Sequence, residues 1–114
     1  EEKELDVNKF ENRSMSKIGL IPEIKPRYRS TYFNHIFSGG YSSGYYSYLW
    51  SEVLDADAFN AFVESGDVLN KELAAKYRKY ILSAGGTEDA MVLYKKFRGK
   101  EPSIEPLLKR RGLD

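Results

Sequence analysis

Apolar residues along this chain recur at helical spacing in several stretches, each bounded by a capping residue or a glycine. Asp6 can cap a first helix from about residue 7 to about 18, with Val7, Phe10, Met15 and Ile18 on one face and Gly19 as its stop. A longer pattern from about 43 to about 65 places Tyr46, Leu49, Trp50, Val53, Leu54, Ala58, Ala61 and Phe62 along one stripe that Gly66 ends. Leu69, Leu73, Tyr77, Tyr80 and Ile81 give another from about 70 to 83, closed by Gly85-Gly86. Thr87 is then expected to cap a helix with Glu88 and Asp89 in its first turn and Met91, Tyr94 and Phe97 turned inward. Ser103 should cap a last short helix that tolerates Pro106 in its first turn, buries Leu107 and Leu108, and ends in Lys109, Arg110 and Arg111.

Between the first two stripes the pattern breaks. Pro22 and Pro26 make Leu20 to Arg29 an extended connector. Ser30 to Phe37 is mixed and aromatic, with room for one or two helical turns, and runs into Ser38-Gly39-Gly40-Tyr41-Ser42-Ser43-Gly44, a loop. The expectation is an all-α protein of about five helices, with a Gly/Tyr-rich loop before the longest one. It divides into 1–29 (helix and connector), 30–44 (loop) and 45–114 (helical subdomain).

Composition changes the picture mainly by exclusion. With no cysteine, disulfides, thiolate catalysis and cysteine metal sites are ruled out, and a single histidine, His35, cannot supply the paired histidines of a zinc-hydrolase helix. Eighteen Lys and Arg against seventeen Asp and Glu, spread along the chain, leave no basic footprint for nucleic acid, and no apolar run is long enough to span a membrane. Glu1 to Asp6 has neither an initiator Met nor signal-peptide regions and reads as the interior of a longer protein. The unusual quantity is 14% aromatic residues, nine of them Tyr, a ring whose hydroxyl needs a partner when buried.

Those tyrosines crowd into His35 to Trp50. Tyr41, Tyr45 and Tyr48, spaced by four and three, would share one face of a helix begun near Tyr41, apart from the Tyr46, Leu49, Trp50, Val53 stripe. This is a row of hydroxyl donors beside a glycine loop that lets a ligand approach the backbone. Aromatic stripes at this spacing are more often core, and an autonomous small helical module that binds peptide or protein with structural tyrosines stays open as an alternative.

Pro26-Arg27-Tyr28-Arg29-Ser30, Tyr32-Phe33-Asn34-His35-Ile36-Phe37-Ser38-Gly39-Gly40-Tyr41 and Gly44-Tyr45-Tyr46-Ser47-Tyr48-Leu49-Trp50 closely resemble the C-terminal region of thimet-oligopeptidase-like zinc peptidases. Gly85-Gly86-Thr87-Glu88-Asp89, Phe97-Arg98-Gly99-Lys100 and Arg111-Gly112-Leu113 continue the resemblance. Within that family the chain looks most like bacterial peptidyl-dipeptidases, which release dipeptides from peptide C-termini. Both Phe37 and Ser38 intervene before Gly39, a longer spacing than in many internally cutting oligopeptidases, which agrees with the dipeptidase branch.

The resemblance implies a piece of a larger helical zincin-like catalytic domain. Zinc is implied for the parent, which would hold it with a His-Glu-x-x-His helix absent here, so no zinc and no activity are expected of this chain alone. By the same resemblance Tyr48 is the expected oxyanion donor, Tyr41 a clamp on the loop, and His35 a donor to the peptide backbone, with Gly39, Gly40 and Tyr45 completing the substrate-binding segment. A Tyr hydroxyl stays protonated over the working range and can stabilise charge growing on a carbonyl oxygen. Arg27 and Arg29 are candidates for a substrate carboxylate or for structural salt bridges. The implied partners are peptide substrate and the rest of the parent domain, with self-association of the isolated piece, no nucleic acid and no membrane. The cytoplasm is the expected compartment, with the periplasm as the alternative.

Overall fold

The computed structural model describes residues 6–113; the expectations for Glu1 to Leu5 lie outside the described residues. Helices α1 (Val7–Lys17), α2 (Asn34–Ser38), α3 (Ser47–Glu64), α4 (Lys71–Tyr77), α5 (Ala90–Arg98) and α6 (Glu105–Arg110) follow one another, and a π-helical turn, Arg78–Leu82, continues α4. No strand occurs among the described residues, so the chain is all-helical, and no described helix is long and apolar enough to cross a membrane. Two compact units divide between Tyr45 and Tyr46.

In the first unit the Asp6 carboxylate accepts from the Lys9 backbone N–H at 3.0 Å and caps α1, and Gly19 ends it at φ 78°. The expected apolar face does not close: Phe10 and Ile18 are exposed, and the buried residue of α1 is Glu11. Arg29 draws it in. The Arg29 Nε donates to the Glu11 carboxylate at 2.5 Å, and an Arg29 terminal nitrogen donates to Asn8 Oδ1 at 3.2 Å. The connector is thus fastened to α1 by a charge-assisted bond, and of the two readings of Arg29 this geometry is the structural salt bridge.

The second unit is built round α3. Val53 and Ala56 pack with Leu107 of α6 on one side, while Ala58 and Ala61 pack with Tyr94 and Phe97 of α5 on another. Leu73, Tyr77, Tyr80 and Ile81 extend the second cluster, as their spacing predicts. The last turn of their helix differs from expectation, because the Ser83 N–H donates to the Arg78 carbonyl five residues back, at 2.9 Å. The proposed stripe of α3 is buried only from Val53 onward; Tyr46, Leu49 and Trp50 at its start are exposed.

Two capping expectations are corrected. Asp89, not Thr87, caps α5, accepting from the Met91 and Val92 N–H groups at 2.9 and 3.3 Å, whereas the Thr87 hydroxyl donates to the Ala84 carbonyl at 2.7 Å. A carboxylate at that position also meets the positive end of the helix dipole. The residue before α6 is Ile104, although the Ser103 hydroxyl accepts from the Glu105 N–H at 3.2 Å.

One polar residue sits in the middle of the apolar packing. Asp57 is 1% exposed. It accepts from the Tyr94 hydroxyl at 2.6 Å and from Arg98 Nε at 3.0 Å, and Arg98 also grips Glu64 with both terminal nitrogens, at 2.7 and 2.9 Å. The Arg98 bonds hold the Glu64 carboxyl below its ordinary range. Burial, and then the bond to Asp57, pushes the Tyr94 hydroxyl well above the ordinary phenol range.

Asp57→Ala would leave a buried guanidinium and a buried phenol without their shared acceptor. Because Arg98 keeps Glu64, the expected loss is at the low end for breaking a buried pair, about 3 kcal/mol, read as a lower urea midpoint at unchanged m.

Tyr94 also gives a pH signature. Its folded pKa lies above the unfolded value of about 10, so its contribution is complete below that pH and is lost as pH rises toward the folded value. Unfolding midpoints from pH 8 to 11 should therefore fall more steeply for the wild type than for Tyr94→Phe.

Candidate functional site

The loop residues singled out by sequence do come together in the first unit. His35 lies on α2, and its ring meets Tyr41 edge-on at 4.8 Å and Tyr45 at 5.4 Å between centroids. Two glycines allow this, each for its own reason. A Cβ on Gly39 would stand 3.0 Å from the His35 carbonyl oxygen, so the chain there must pass close to α2. Gly40 has open space around it but a φ of 74°, which side-chain-bearing residues adopt at a cost. Past them the Ser42 hydroxyl donates to the Ile36 carbonyl at 2.8 Å and the Gly44 N–H to the Tyr41 carbonyl at 3.0 Å. Ser43, at φ 55°, is the only described non-glycine residue in left-handed conformation.

The tyrosine row is not one helical face. Residues 42–46 form turns and α3 begins only at Ser47, so Tyr41 and Tyr45 belong to the loop and Tyr48 to the first turn of α3. The left-handed backbone at Gly40 and Ser43 cannot continue into a right-handed helix, which overrides the four-and-three spacing. Tyr48 belongs to the second unit, with 45% of its surface exposed. Tyr41 and Tyr45 are half-buried and His35 is exposed.

Sequence reasoning passed over two rings. Tyr28 and Phe33 stack at 5.0 Å, 17° from parallel, and Phe33 meets Tyr45 edge-on at 4.8 Å. The density of aromatics from Tyr28 to Tyr45 was the available signal. A recess of about 340 Å³ opens beside them, lined by Tyr28, Tyr32, Asn34, His35 and Gly39 among others. Arg27 places its guanidinium 5.2 Å from the Tyr28 ring centre, a cation–π contact.

A larger cleft of about 550 Å³ lies in the second unit, where Trp50, Leu54, Tyr77, Ile81 and Met91 are among its walls. Two of its carboxylates are already engaged: Asp55 accepts from Arg110 at 2.8 Å, and Asp89 caps α5. Its chemistry is that of a seat for apolar groups, so the candidate site is placed at the glycine loop despite the larger volume here.

The chain is thus all-helical among the described residues, with His35, Tyr41 and Tyr45 clustered at a glycine loop. Comparison with known proteins gives its class: the chain belongs to peptidase family M3, which matches residues 1–113, and its relatives are metallopeptidases. It is 48% identical over 110 residues to the dipeptidyl carboxypeptidase of Escherichia coli (strain K12), covering 96% of this chain and 16% of that protein. It is 51% identical over 81 residues to oligopeptidase A of the same organism, covering 71% of this chain and 12% of that protein. With the probable cytosolic oligopeptidase A of Arabidopsis thaliana it shares 43% over 110 residues, 94% of this chain and 16% of that protein. The chain therefore spans less than a fifth of the length of these relatives.

Family M3 peptidases are zinc enzymes. The described residues do not fit a zinc site: no group of three or more His, Cys, Asp or Glu among them is placed to hold a metal ion, and the chain's one His lies in the aromatic cluster.

The two glycines should respond differently to Ala. Gly40→Ala meets only backbone strain, about 1 kcal/mol, whereas Gly39→Ala crowds the His35 carbonyl, which must give by a few tenths of an ångström. Hydrogen exchange at the Gly44 amide should accelerate modestly in the first and more strongly in the second.

Proposed function

We propose that this chain is the substrate-binding part of a zinc peptidase that releases dipeptides from peptide C-termini. His35, Tyr41 and Tyr48 contact the peptide, and Gly39, Gly40 and Tyr45 shape the segment that carries the first two. The observation that carries the reading is the gathering of His35, Tyr41 and Tyr45 round the glycine pair that ends α2, Gly39 tight against the His35 carbonyl and Gly40 left-handed. Similarity to a dipeptidyl carboxypeptidase over 96% of the chain supports the choice of substrate class. In role, residues 1–29 anchor the segment, 30–44 form the loop, and 45–114 form the helical body.

Peptide hydrolysis builds negative charge on the scissile carbonyl oxygen. A neutral phenol aimed at that oxygen strengthens its hydrogen bond as the charge grows and so favours the transition state over the ground state. Tyr48 takes this role. Tyr41, carried by a loop with left-handed residues on both sides of it, closes on bound substrate, and His35 donates to the peptide backbone. The metal is held by residues outside this chain.

The same reading accounts for the second unit. Apolar residues of α3 stand exposed, among them Leu49, Trp50, Phe59 and Val63, while Val53, Ala56, Ala58 and Ala61 are buried. A helix with large apolar residues on its exposed as well as its buried side belongs against a larger body. The remainder of a peptidase of the relatives' length is the partner that covers it, and an isolated chain self-associates through the same surface. A cytoplasmic setting goes with this reading, in keeping with the Arabidopsis relative's name.

Alone, the chain is expected to show no peptide turnover and no stoichiometric zinc after dialysis, with scattering mass rising with concentration. A zinc-bound, active isolated chain would refute the reading.

Its residue roles can be tested in the E. coli dipeptidyl carboxypeptidase with its matching 110 residues replaced by this chain. With the unmutated chimera active, Tyr48→Phe should lower kcat about 100-fold with little change in KM, and Tyr41→Phe should alter both. Near-normal kinetics for both would leave the rings only a packing role.

A further inference from the structure

The first unit has little apolar core: among its described residues only Glu11 is buried, and that residue is charged. What spans it from the connector to the glycine loop is a continuous run of ring contacts, Tyr28 to Phe33 to Tyr45 to His35 to Tyr41, each pair with centroids 4.8 to 5.4 Å apart. We propose that Phe33 is a positioning residue for the peptide-contacting pair His35 and Tyr41, acting through Tyr45. The functional half of this inference rests on the roles given to His35 and Tyr41 above; the ring contacts do not.

Phe33 is the link on which the run depends. It stacks on Tyr28 with one face and meets Tyr45 edge-on, 83° from parallel, so it fixes two rings in different orientations at once. Tyr28 lies at the outer end, and its loss would shorten the run without dividing it. Loss of the Phe33 ring removes both its stack on Tyr28 and its edge contact with Tyr45, and so interrupts the run between the connector and the loop. The backbone points the same way. Phe33 immediately precedes α2, its side chain makes no capping hydrogen bond, and its carbonyl accepts from the Ile36 N–H at 3.2 Å. The entry of the helix that carries His35 is therefore located by where the Phe33 ring packs. Phe33 has no polar group to offer a substrate, and it is half-buried, so its influence on chemistry must pass through the residues it holds.

His35 is the only histidine, which makes it a clean spectroscopic probe in the whole chain. In the wild type its imidazole Cε1–H signal should be displaced by the neighbouring rings, with cross-relaxation from His35 to Tyr41 and from Phe33 to Tyr45. Phe33→Leu keeps an apolar side chain and removes the ring. It should bring the His35 signal back toward the free-peptide position and weaken the His35–Tyr41 cross-peak at least twofold. Phe33→Tyr should restore both, and Tyr28→Leu should move the signal less. Phe97→Leu, which removes a ring from the other unit, should lower stability and leave the His35 signal in place.

In the active chimera, Phe33→Leu should lower kcat/KM about tenfold with changes in both kcat and KM, and Phe33→Tyr should recover it. Absence of the Phe33–Tyr45 cross-peak in the wild type, or an unmoved His35 signal in a folded Phe33→Leu variant, would overturn the proposal and leave the peptidase reading standing. A displaced signal with unchanged kinetics, in a chimera where Tyr41→Phe is also silent, would overturn the substrate role of this loop instead. If Phe33→Leu unfolds the unit, the wild-type cross-peaks and the graded Tyr28→Leu and Phe33→Tyr variants decide the matter.

Discussion

A carboxylate with almost no access to water organises the second unit. Asp57 lies in the middle of α3 between two apolar clusters, and a lone charge there would be prohibitively unfavourable. It is tolerable because Arg98 and Tyr94, one turn apart on α5, both direct donors at it. That requirement fixes the rotation and height of α5 against α3 far more narrowly than Ala58, Ala61 and Phe97 could alone. Glu64 completes the arrangement by binding the far side of the same guanidinium. Arg98 thus ties the middle of α3 to its end, and the register of the apolar packing follows.

Much of the helical layout was legible because its signals are local. Asp6, Gly19, Gly66 and the paired glycines at 85 and 86 mark ends by backbone conformation and capping, which depend on near neighbours. Thr87 misled because Thr and Asp are both good capping residues two positions apart, and the choice is made by how far the turn after Ala84 winds. Asp57 could not be recognised as buried, since its partners lie 37 and 41 residues away. For α1 the apolar spacing was a poor guide, because a long-range bond to Arg29 decides which side faces inward.

The candidate site was readable as a list of residues and not as an arrangement. Sequence spacing alone joined Tyr41, Tyr45 and Tyr48 in one row, and the left-handed residues at 40 and 43 divide that row between a loop and a helix. What replaces it is a cluster with His35 at its centre, reached from two sides by tyrosine rings. Ring-to-ring contacts leave no periodic trace, so Tyr28 reads from sequence as part of the extended connector and Phe33 as part of the mixed aromatic stretch after it.

The π turn at Arg78–Leu82 governs the phase of everything after it. An α-helical residue advances the chain by about 100° round the axis, and a turn closed over five residues absorbs part of one such step. Deleting a single residue within it would close the helix into ordinary register, shorten it by one rise and turn the exit toward Gly85-Gly86 by the part of that step the wider turn does not absorb. Tyr80 or Ile81 would leave its place against the core, and α5 would enter on the wrong heading. This short stretch should therefore accept changes of side chain much more readily than a change of length, although its sequence looks like the end of any helix.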